Sequence, residues 1–391
     1  MMVSPMQGTL LDCVRAHTEG PATVYDPFVG SGTTMIEART RGLAFVGQDI
    51  NPLAILLCRV ETAEAAGFEL QTAAEEVQRT AAGLRVTATA AQEQWCEKWF
   101  REDVAVALTA LRDAIRQQPE PAVRRFLWAT LAEVVRRVGN QRLSTPKLQT
   151  RPEAELSRTL APVELFAQLA ARNAGIVHER AASLPADTPP VDLVLGDVRD
   201  PVSFPGVRPN VVLTSPPYGD NHTTMPYGQA SWLPLKWIDL ADIDQTAAQS
   251  PTAAMRGMDT ASLGGSVVVD RDVLAAVTAR SPTLRRRLDD LQPSFKAWRR
   301  VARFFCDVDT ALGAIVDRCQ PDAFFVMTLG DRTVAARPVP TTAVMTELLM
   351  SRGAEPCGTV ERAIPHGRRI AARNEHGKTI GAETVLLMQL S

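Results

Sequence analysis

A short apolar segment runs directly into Ser215-Pro216-Pro217-Tyr218, the residues of this chain best suited to bind an amino group. The two prolines lack an N–H donor and keep the backbone extended, so local carbonyl oxygens are free to accept hydrogen bonds. The Ser215 hydroxyl and the Pro216 carbonyl can accept from the protons of an NH₂ group, while Tyr218 stacks on the plane that carries it. The motif therefore predicts a receptor for a planar group that bears an amine.

A glycine turn near the start of the chain, residues 26–34, reads Asp-Pro-Phe-Val-Gly-Ser-Gly-Thr-Thr. It follows an apolar run at 22–25 and leads into a helical pattern. Gly30 and Gly32 let the backbone approach a ligand closely and adopt positive φ angles. The helix N-terminus just beyond offers unpaired N–H groups to polar ligand atoms. Taken alone, the turn fits several classes of nucleotide-binding protein.

Two later carboxylates sharpen this interpretation. Asp49 ends a second strand about 20 residues beyond the first glycine, where dinucleotide-binding folds place an acid on ribose hydroxyls. Asp197 follows another apolar run, residues 191–196. Each also has a simpler explanation, since Asp49 could cap the helix that starts near Pro52 and Asp197 could be an ordinary turn residue.

The alternation of strands and helices predicts an α/β fold with a doubly wound, mostly parallel sheet. Ligands bind such sheets at the carboxyl ends of the strands, where these motifs lie. Between residues 61 and 184 apolar residues recur every three or four positions, which predicts an inserted helical subdomain. Residues 1–60 and 185–391 would then form the main domain, with an irregular segment at 219–300.

Composition excludes several classes of protein. The 391 residues are 45% apolar and 22% charged, as in ordinary globular proteins. The six cysteines form no Cys-x-x-Cys pair and the histidines have no metal-binding spacing, so no metal is expected. No signal peptide and no bilayer-length apolar run is evident, which predicts a cytoplasmic protein with reduced thiols. The net charge of −2 means that a nucleic-acid partner would need local basic patches.

With both motifs in view, the chain resembles the S-adenosylmethionine-dependent DNA amino-methyltransferases, which methylate N4 of cytosine or N6 of adenine. The glycine turn matches that family's cofactor motif. Ser-Pro-Pro-Tyr at 215–218 matches its catalytic motif, and serine in the first place is more typical of the N4-cytosine enzymes. The resemblance covers roughly 1–60 and 190–391 and implies a Rossmann-like class I methyltransferase fold. The cofactor motif precedes the catalytic motif, the reverse of the order in many enzymes with this Asp-Pro-Phe signature.

The resemblance also implies a role for each matching residue. The catalytic residues would be Ser215, Pro216, Pro217 and Tyr218. S-adenosylmethionine would be held at its methionine and ribose by Phe28, Gly30, Gly32 and Thr33, at its ammonium by Asp26, at its ribose hydroxyls by Asp49, and at its adenine amine by Asp197. Thr9 and its neighbours in the first helix correspond only loosely to the family's flanking cofactor segment.

The expected chemistry is direct methyl transfer to the exocyclic nitrogen of a base in double-stranded DNA. Acceptors from Ser215 and Pro216 would favour a pyramidal nitrogen whose lone pair points at the sulfonium methyl. No covalent intermediate is required. The base must be flipped out of the duplex to reach the motif, with Tyr218 stacking on it.

Basic residues supply candidates for DNA contact, although a solvated helix face explains such residues about as well. The four that we single out are Arg142, Lys147, Arg286 and Arg300. We expect segment 219–300, helped by residues 92–184, to read the target sequence. A prokaryotic, DNA-associated location without membrane contact is expected, with a cognate restriction or defence protein as a further partner.

Three rival functions remain at this point. Methylation of adenine N6 in DNA requires the same pocket chemistry and differs only in base shape. An RNA methyltransferase acting on a guanine amine could share a Pro-Pro-Tyr motif. A catalytically inactive cofactor sensor or DNA-binding scaffold is the third, against which the intact Gly30, Gly32, Ser215 and Tyr218 argue.

Overall fold

The structure, a computed structural model, describes residues 4–84, 94–143, 148–200, 204, 206–219, 227–247, 255–265, 268–292, 294–364 and 381–391. The chain divides into two compact units. The first comprises Met1–Ile50, Pro185–Thr224 and Asp259–Ser391, and the second comprises Asn51–Leu184 and Met225–Met258.

Strands and helices alternate along much of the described chain. The strands are β1 (Thr23–Asp26), β2 (Ala44–Asp49), β3 (Val191–Leu195), β4 (Val211–Thr214), β5 (Phe324–Leu329), β6 (Arg332–Val334), β7 (Arg337–Val339), β8 (Ala354–Ala363) and β9 (Ala382–Leu390). The helices are α1 (Ser4–Arg15), α2 (Thr33–Thr40), α3 (Pro52–Glu61), α4 (Leu70–Gly83), α5 (Gln94–Trp99), α6 (Glu102–Ile115), α7 (Pro121–Val138), α8 (Pro162–Ala182), α9 (Tyr227–Leu235), α10 (Leu240–Ile243), α11 (Met255–Ala261), α12 (Arg271–Arg280), α13 (Pro282–Leu291), α14 (Phe295–Arg318) and α15 (Thr341–Met350). A 3₁₀ turn, Glu153–Glu155, precedes α8.

The first unit is built on a seven-stranded sheet with the order β3-β2-β1-β4-β5-β9-β8. Strands β1 to β5 are parallel, whereas β9 is antiparallel to both β5 and β8. The strand order reverses between β1 and β4, which pair in parallel with Tyr25 opposite Val212. In open α/β sheets this switch point opens a crevice beyond the carboxyl ends of the strands, where ligands bind.

One face of the sheet packs on a helical layer through a shared apolar core. Tyr25, Val212 and Phe325 from three adjacent strands belong to the same buried cluster as Phe305 of α14 and Leu348 of α15. The buried side chains of α14 recur every three or four residues, which is the period that keeps one helical face towards a core. They include Val301, Phe305, Val308, Leu312 and Ile315.

Local capping explains where two of the helices begin. The Ser281 hydroxyl accepts from the N–H of Leu284 at 3.1 Å, and Pro282 occupies the first helical position of α13. In the second unit, Asn51 Oδ1 accepts from Leu53 N at 3.0 Å, with Pro52 as the first residue of α3. Both pairs satisfy an otherwise unpaired helix donor and place proline where no N–H is needed.

The second unit consists of helices in its described residues, apart from an isolated bridge between Gln141 and Thr150. Trp128, Phe126 and Phe166 are completely buried there, which gives these helices a core of their own.

The sheet confirms the predicted fold class, a doubly wound, mostly parallel, Rossmann-like α/β architecture. Two features were not predicted: the edge strand β8 and the β6–β7 hairpin. Residues 282–318 form two helices, since α13 ends at Leu291 and α14 begins at Phe295.

Candidate functional site

The glycine turn joins β1 to α2 with two residues in the left-handed region. Gly30 has φ of +53° and Gly32 has φ of +81°, angles that residues with a β-carbon rarely adopt. Val29 N donates to Gln48 O at 3.0 Å, which ties the turn to the end of β2. Among the described residues, the only atom within 4 Å of a β-carbon placed on Gly30 is the Phe28 carbonyl oxygen, at 3.9 Å. The backbone at Gly30 therefore faces open space on the side where a ligand can approach.

Asp26, the last residue of β1, is completely buried beneath this turn. Its Oδ1 accepts from the Thr214 hydroxyl at 2.6 Å and from Phe28 N at 3.1 Å, and its Oδ2 accepts from the Thr34 hydroxyl at 2.7 Å. Burial raises the pKa of this carboxyl to about 6, although the three donors oppose that shift. Asp26 thus stabilises the turn through its hydrogen bonds to Phe28 N and the Thr34 hydroxyl. Its contact with a ligand ammonium stays a prediction.

Asp49 ends β2 beside the turn and is partly exposed. Its Oδ2 accepts from the N–H of Gly30 at 3.0 Å, so the carboxylate and the glycine backbone hold each other in place. The helix that starts at Pro52 is capped by Asn51 and not by Asp49. The structure therefore brings Asp49 and the glycine turn together, as a shared ligand site requires.

Asp197, two residues beyond β3, makes a forked ion pair with Arg199. Arg199 Nε lies 2.9 Å from Oδ1 and Nη2 lies 2.5 Å from Oδ2. Arg199 in turn pairs with Asp307 at 2.8 Å and donates to the Ala261 carbonyl. This network fixes the direction of the Asp197 carboxylate. An amine that donates a hydrogen bond to Asp197 must therefore share the carboxylate oxygens with Arg199.

The Ser-Pro-Pro-Tyr motif follows β4 directly and carries a chain of hydrogen bonds. The Ser215 hydroxyl donates to Tyr218 Oη at 3.2 Å, and the Tyr218 hydroxyl donates to Glu383 Oε1 at 2.8 Å. Glu383 is only 3% exposed and pairs with Arg362, its partner across β8 and β9. Burial, with the nearby Glu383 charge, raises the pKa of Tyr218 well above its usual range, so the phenol stays protonated.

These hydrogen bonds determine which role the Ser215 hydroxyl can play towards a ligand. A hydroxyl has one proton and two acceptor lone pairs. Because the Ser215 proton is directed to Tyr218, its lone pairs remain able to accept from a donor such as an amine. The Glu383 carboxylate at the end of the chain favours this direction, since an ionised acceptor makes the stronger hydrogen bond.

The two motifs meet at the switch point of the sheet. Thr214 lies between the apolar part of β4 and Ser215, and its hydroxyl bridges to Asp26 on β1. The turn, Asp49 and the Ser-Pro-Pro-Tyr motif thus lie at the carboxyl ends of neighbouring parallel strands.

Of the three basic candidates that lie among the described residues, Arg300 of α14 is the one that lies beside the catalytic motif. It lines a groove with Tyr218, together with Phe304 and, from the hairpin and its flank, Arg332 and Val339. Arg286 is exposed on α13, where its Nη2 donates to the Thr283 hydroxyl at 3.5 Å. Arg142 is exposed in the second unit, where its backbone N–H donates to Gln149 O at 2.8 Å. Lys147 lies outside the described residues.

Other arginines that could have faced DNA are engaged with carboxylates. Arg124 pairs with Asp242 at 2.7 Å and Arg125 pairs with Glu64 at 2.7 Å, both within the second unit. For these two side chains the simpler interpretation, a helix surface stabilised by ion pairs, is the better one.

Several residues of the site were not predicted from the sequence. Thr34, the second residue of α2, and Thr214, the last residue of β4, each stand next to a predicted residue. For Thr214 the available signal was a polar residue at the end of an apolar strand. Gln7 of α1 is fully buried with Oε1 3.3 Å from the Thr34 hydroxyl, so the first helix reaches the turn through Gln7, while Thr9 bonds back to Pro5. Glu383 gave no signal, because it lies 165 residues from Tyr218 along the chain.

The residues present fit S-adenosylmethionine on chemical grounds. The open space above Gly30 accepts a close approach, and the partly exposed Asp49 carboxylate is an acceptor suited to hydroxyl groups. The start of α2 at Thr33 adds helix N–H donors. Asp197 offers carboxylate oxygens, which accept from an amine.

The chain is 26% identical over 406 residues to the type II methyltransferase M.MvaI of Kocuria varians, with 99% of this chain and 87% of that protein covered. The similarity supports a methyltransferase. No protein-family model matches the chain. Two structures of the rRNA methyltransferase AviRa from Streptomyces viridochromogenes cover 99% of this chain and 85% of theirs, at 14% and 13% identity and TM-scores of 0.32 and 0.33. At these scores the likeness carries no argument about function.

No group of three or more histidine, cysteine or acidic side chains is arranged to hold a metal ion in the part of the chain that the structure describes. Within the same residues, no helix is long and apolar enough to cross a membrane.

Proposed function

We propose that this methyltransferase transfers a methyl group from S-adenosylmethionine to N4 of a cytosine flipped out of double-stranded DNA. The observation that carries the proposal is the adjacency of the two motifs at the sheet's switch point, where Thr214 bridges to Asp26 at 2.6 Å. A donor site and an amine receptor on neighbouring strand ends are what direct transfer requires, because the reacting atoms must be held close together.

We assign the cofactor contacts to residues at the carboxyl ends of the parallel strands. Phe28, Gly30, Gly32 and Thr33 would line the methionine and ribose, Asp49 would accept from the ribose hydroxyls, and Asp197 would accept from the adenine amine. Asp26, which is buried beneath the turn, would meet the methionine ammonium directly or through a water molecule. When bound, S-adenosylmethionine supplies an activated methyl group on a sulfonium.

The base residues bind and orient the amine. Ser215 Oγ, with its own proton directed to Tyr218, accepts one N–H of the base, and the Pro216 carbonyl accepts the other. These two acceptors draw the nitrogen lone pair out of conjugation with the ring, which makes the amine a better nucleophile. Tyr218 stacks on the extruded base, and Pro217 keeps the segment extended. No bond between protein and base is needed.

Cytosine is favoured over adenine because the motif begins with Ser215, and serine in this place is more typical of the N4-cytosine enzymes. Adenine N6 methylation is the alternative with the same pocket chemistry. Methylation of a guanine amine in RNA is a second alternative.

Nucleoside analysis tests the proposal. The protein is incubated with S-adenosylmethionine labelled in its methyl group and with unmethylated genomic DNA or total RNA, and the products are digested and separated. We expect label in N4-methylcytosine from DNA. Label in N6-methyladenine would move the assignment to adenine, and label only in RNA would overturn the DNA substrate. The Ser215→Ala variant is the control for label that does not depend on the motif.

The biological setting is a proposal of its own. M.MvaI is named a type II methyltransferase, and by analogy we place this protein on DNA in a prokaryotic cytoplasm, where it protects sites from a cognate restriction or defence nuclease. Segment 219–300, helped by residues 92–184, would read those sites. Sequencing the methylated bases of cells with and without the protein gives the recognition sequence; no difference between the two genomes would contradict this setting.

A further inference from the structure

The beginning of α14 presents an aromatic and basic surface beside the catalytic motif. Phe295 is 67% exposed, so its aromatic ring faces solvent. Its ring stacks on that of Trp298 with centroids 6.1 Å apart and planes 10° apart. The Arg299 guanidinium lies over the same Phe295 ring at 5.8 Å. A flat aromatic face and a cation are thus presented together to solvent.

The charge of this surface is of one sign. From Phe295 to Cys306 the helix carries no acid and four basic residues, which are Lys296, Arg299, Arg300 and Arg303. Acidic residues are the ones that stabilise the start of a helix, because they offset its dipole. The first turn of α14 has none. Helix stability therefore does not explain this charge pattern, whereas an anionic partner does.

The surface continues into the groove beside Tyr218. Arg300 lies one helical turn beyond Lys296 and lines that groove with Tyr218 and Arg332. Among the described residues that line the groove there are two arginines and no acid. A DNA backbone that runs along the start of α14 would lead to Tyr218, the residue that we assign to stacking on the base.

We propose that Phe295, Lys296, Arg299 and Arg300, here called the α14 surface, bind the DNA that flanks the extruded base. The three cations contact phosphates, and Phe295 contacts base or sugar faces. Such a pairing of basic and aromatic side chains binds nucleic acid with little dependence on sequence. The inference rests on the proposed DNA substrate and assigns the contact to an element of the first unit, distinct from the basic candidates Arg142 and Lys147.

Fluorescence anisotropy of a short labelled DNA duplex of mixed sequence, titrated at several salt concentrations, tests the surface. Each phosphate contact contributes about 0.9 to the slope of log K against log salt concentration, so Lys296→Ala with Arg299→Ala should flatten the slope by about 1.8. Phe295→Ala should weaken binding by about tenfold, the scale of one stacking contact, without a change of slope.

The matched control is Arg15→Ala with Arg79→Ala, which removes two exposed arginines from α1 and α4 and should leave slope and affinity as in the wild type. Circular dichroism checks that each variant is folded. A wild-type slope in the Lys296 and Arg299 double variant would overturn the proposal that this surface binds DNA. The proposal would also be overturned if the wild type is a dimer, the double variant is a monomer and the two bind DNA with equal affinity. If the slope changes but wild-type protein transfers no methyl group to DNA, the surface stands and the proposed function fails.

Discussion

Thr214 Oγ1 lies 2.6 Å from Asp26 Oδ1, and this hydrogen bond joins the strand that precedes the glycine turn to the strand that precedes Ser215. Both residues are completely buried. A buried carboxylate needs its donors, because an unmet acceptor in the interior costs its full desolvation free energy. The bond therefore holds the two halves of the site in register as well as stabilising the fold.

Replacing Thr214 by valine removes this donor with little change in side-chain volume. We expect Thr214→Val to lower the free energy of unfolding by about 1–3 kcal/mol, measured by urea denaturation near neutral pH. Thr328→Val on β5 is the matched control. Its hydroxyl is also completely buried but has no hydrogen-bond partner among the described residues, so its loss should be neutral or stabilising. Equal destabilisation by both substitutions would contradict a special role for Thr214.

The raised pKa of Asp26 predicts a pH-dependent stability. Its carboxyl has a pKa of about 6 in the folded protein against 3.8 ordinarily. Between these values the folded state keeps a proton that the unfolded state has released, so this group makes stability fall as the pH rises from about 4 to about 6. At 1.36 kcal/mol for each pKa unit, the loss is at most about 3 kcal/mol.

Asp26→Asn removes the ionisable group, so the free energy of unfolding of this variant should not show the fall with pH that Asp26 causes. The free energy of unfolding of the Asp26→Asn variant minus that of the wild type should grow from pH about 4 to about 7 and then level off. Other titrating groups are common to both proteins and cancel in the difference. Two unfolding profiles that remain parallel across this range would show that folding does not raise the pKa of Asp26.

The sequence predicted the parts of the site that depend on local order and missed those that depend on strand pairing. Gly30 and Gly32 signal their turn because their backbone angles exclude other residues, and Ser215 to Tyr218 signal theirs through two adjacent prolines. The contact of Tyr218 with Glu383 depends on β9 running antiparallel beside β5. No local pattern encodes that neighbour, since a single acid at the start of a strand is common and acquires meaning only from what lies across the sheet.

Asp49 Oδ2 accepts from Gly30 N, so we expect the loss of this carboxylate to affect both the shape of the turn and cofactor affinity. We expect Asp49→Ala to weaken S-adenosylmethionine binding by about 10- to 150-fold in titration calorimetry, the equivalent of about 1.5–3 kcal/mol for hydrogen bonds to a charged group. Asp49→Asn keeps an acceptor for Gly30 but loses the charge, and should fall between Asp49→Ala and the wild type. Wild-type affinity in Asp49→Ala would remove this residue from the cofactor site.

The chain from Ser215 through Tyr218 to Glu383 predicts how three substitutions affect turnover. Ser215→Ala removes an acceptor from the amine and should lower kcat by about 100-fold, the effect of deleting one preorganised hydrogen-bonding group. Tyr218→Phe keeps the aromatic ring but breaks the chain, so kcat should fall by about tenfold while KM for DNA stays near the wild-type value. Glu383→Gln should act in the same direction, because it weakens the acceptor that orients both hydroxyls.

A double-mutant cycle separates this positioning role of Glu383 from a general effect on stability. If Glu383 acts through the Tyr218 hydroxyl, Glu383→Gln should lower kcat in the wild type but have little further effect in Tyr218→Phe. Thermal unfolding of the four proteins shows whether the fold tolerates the loss of the charged partner of Arg362 at the assay temperature. An equal loss of kcat in both backgrounds would mean that Glu383 does not act through Tyr218, and would leave Ser215 oriented by other contacts.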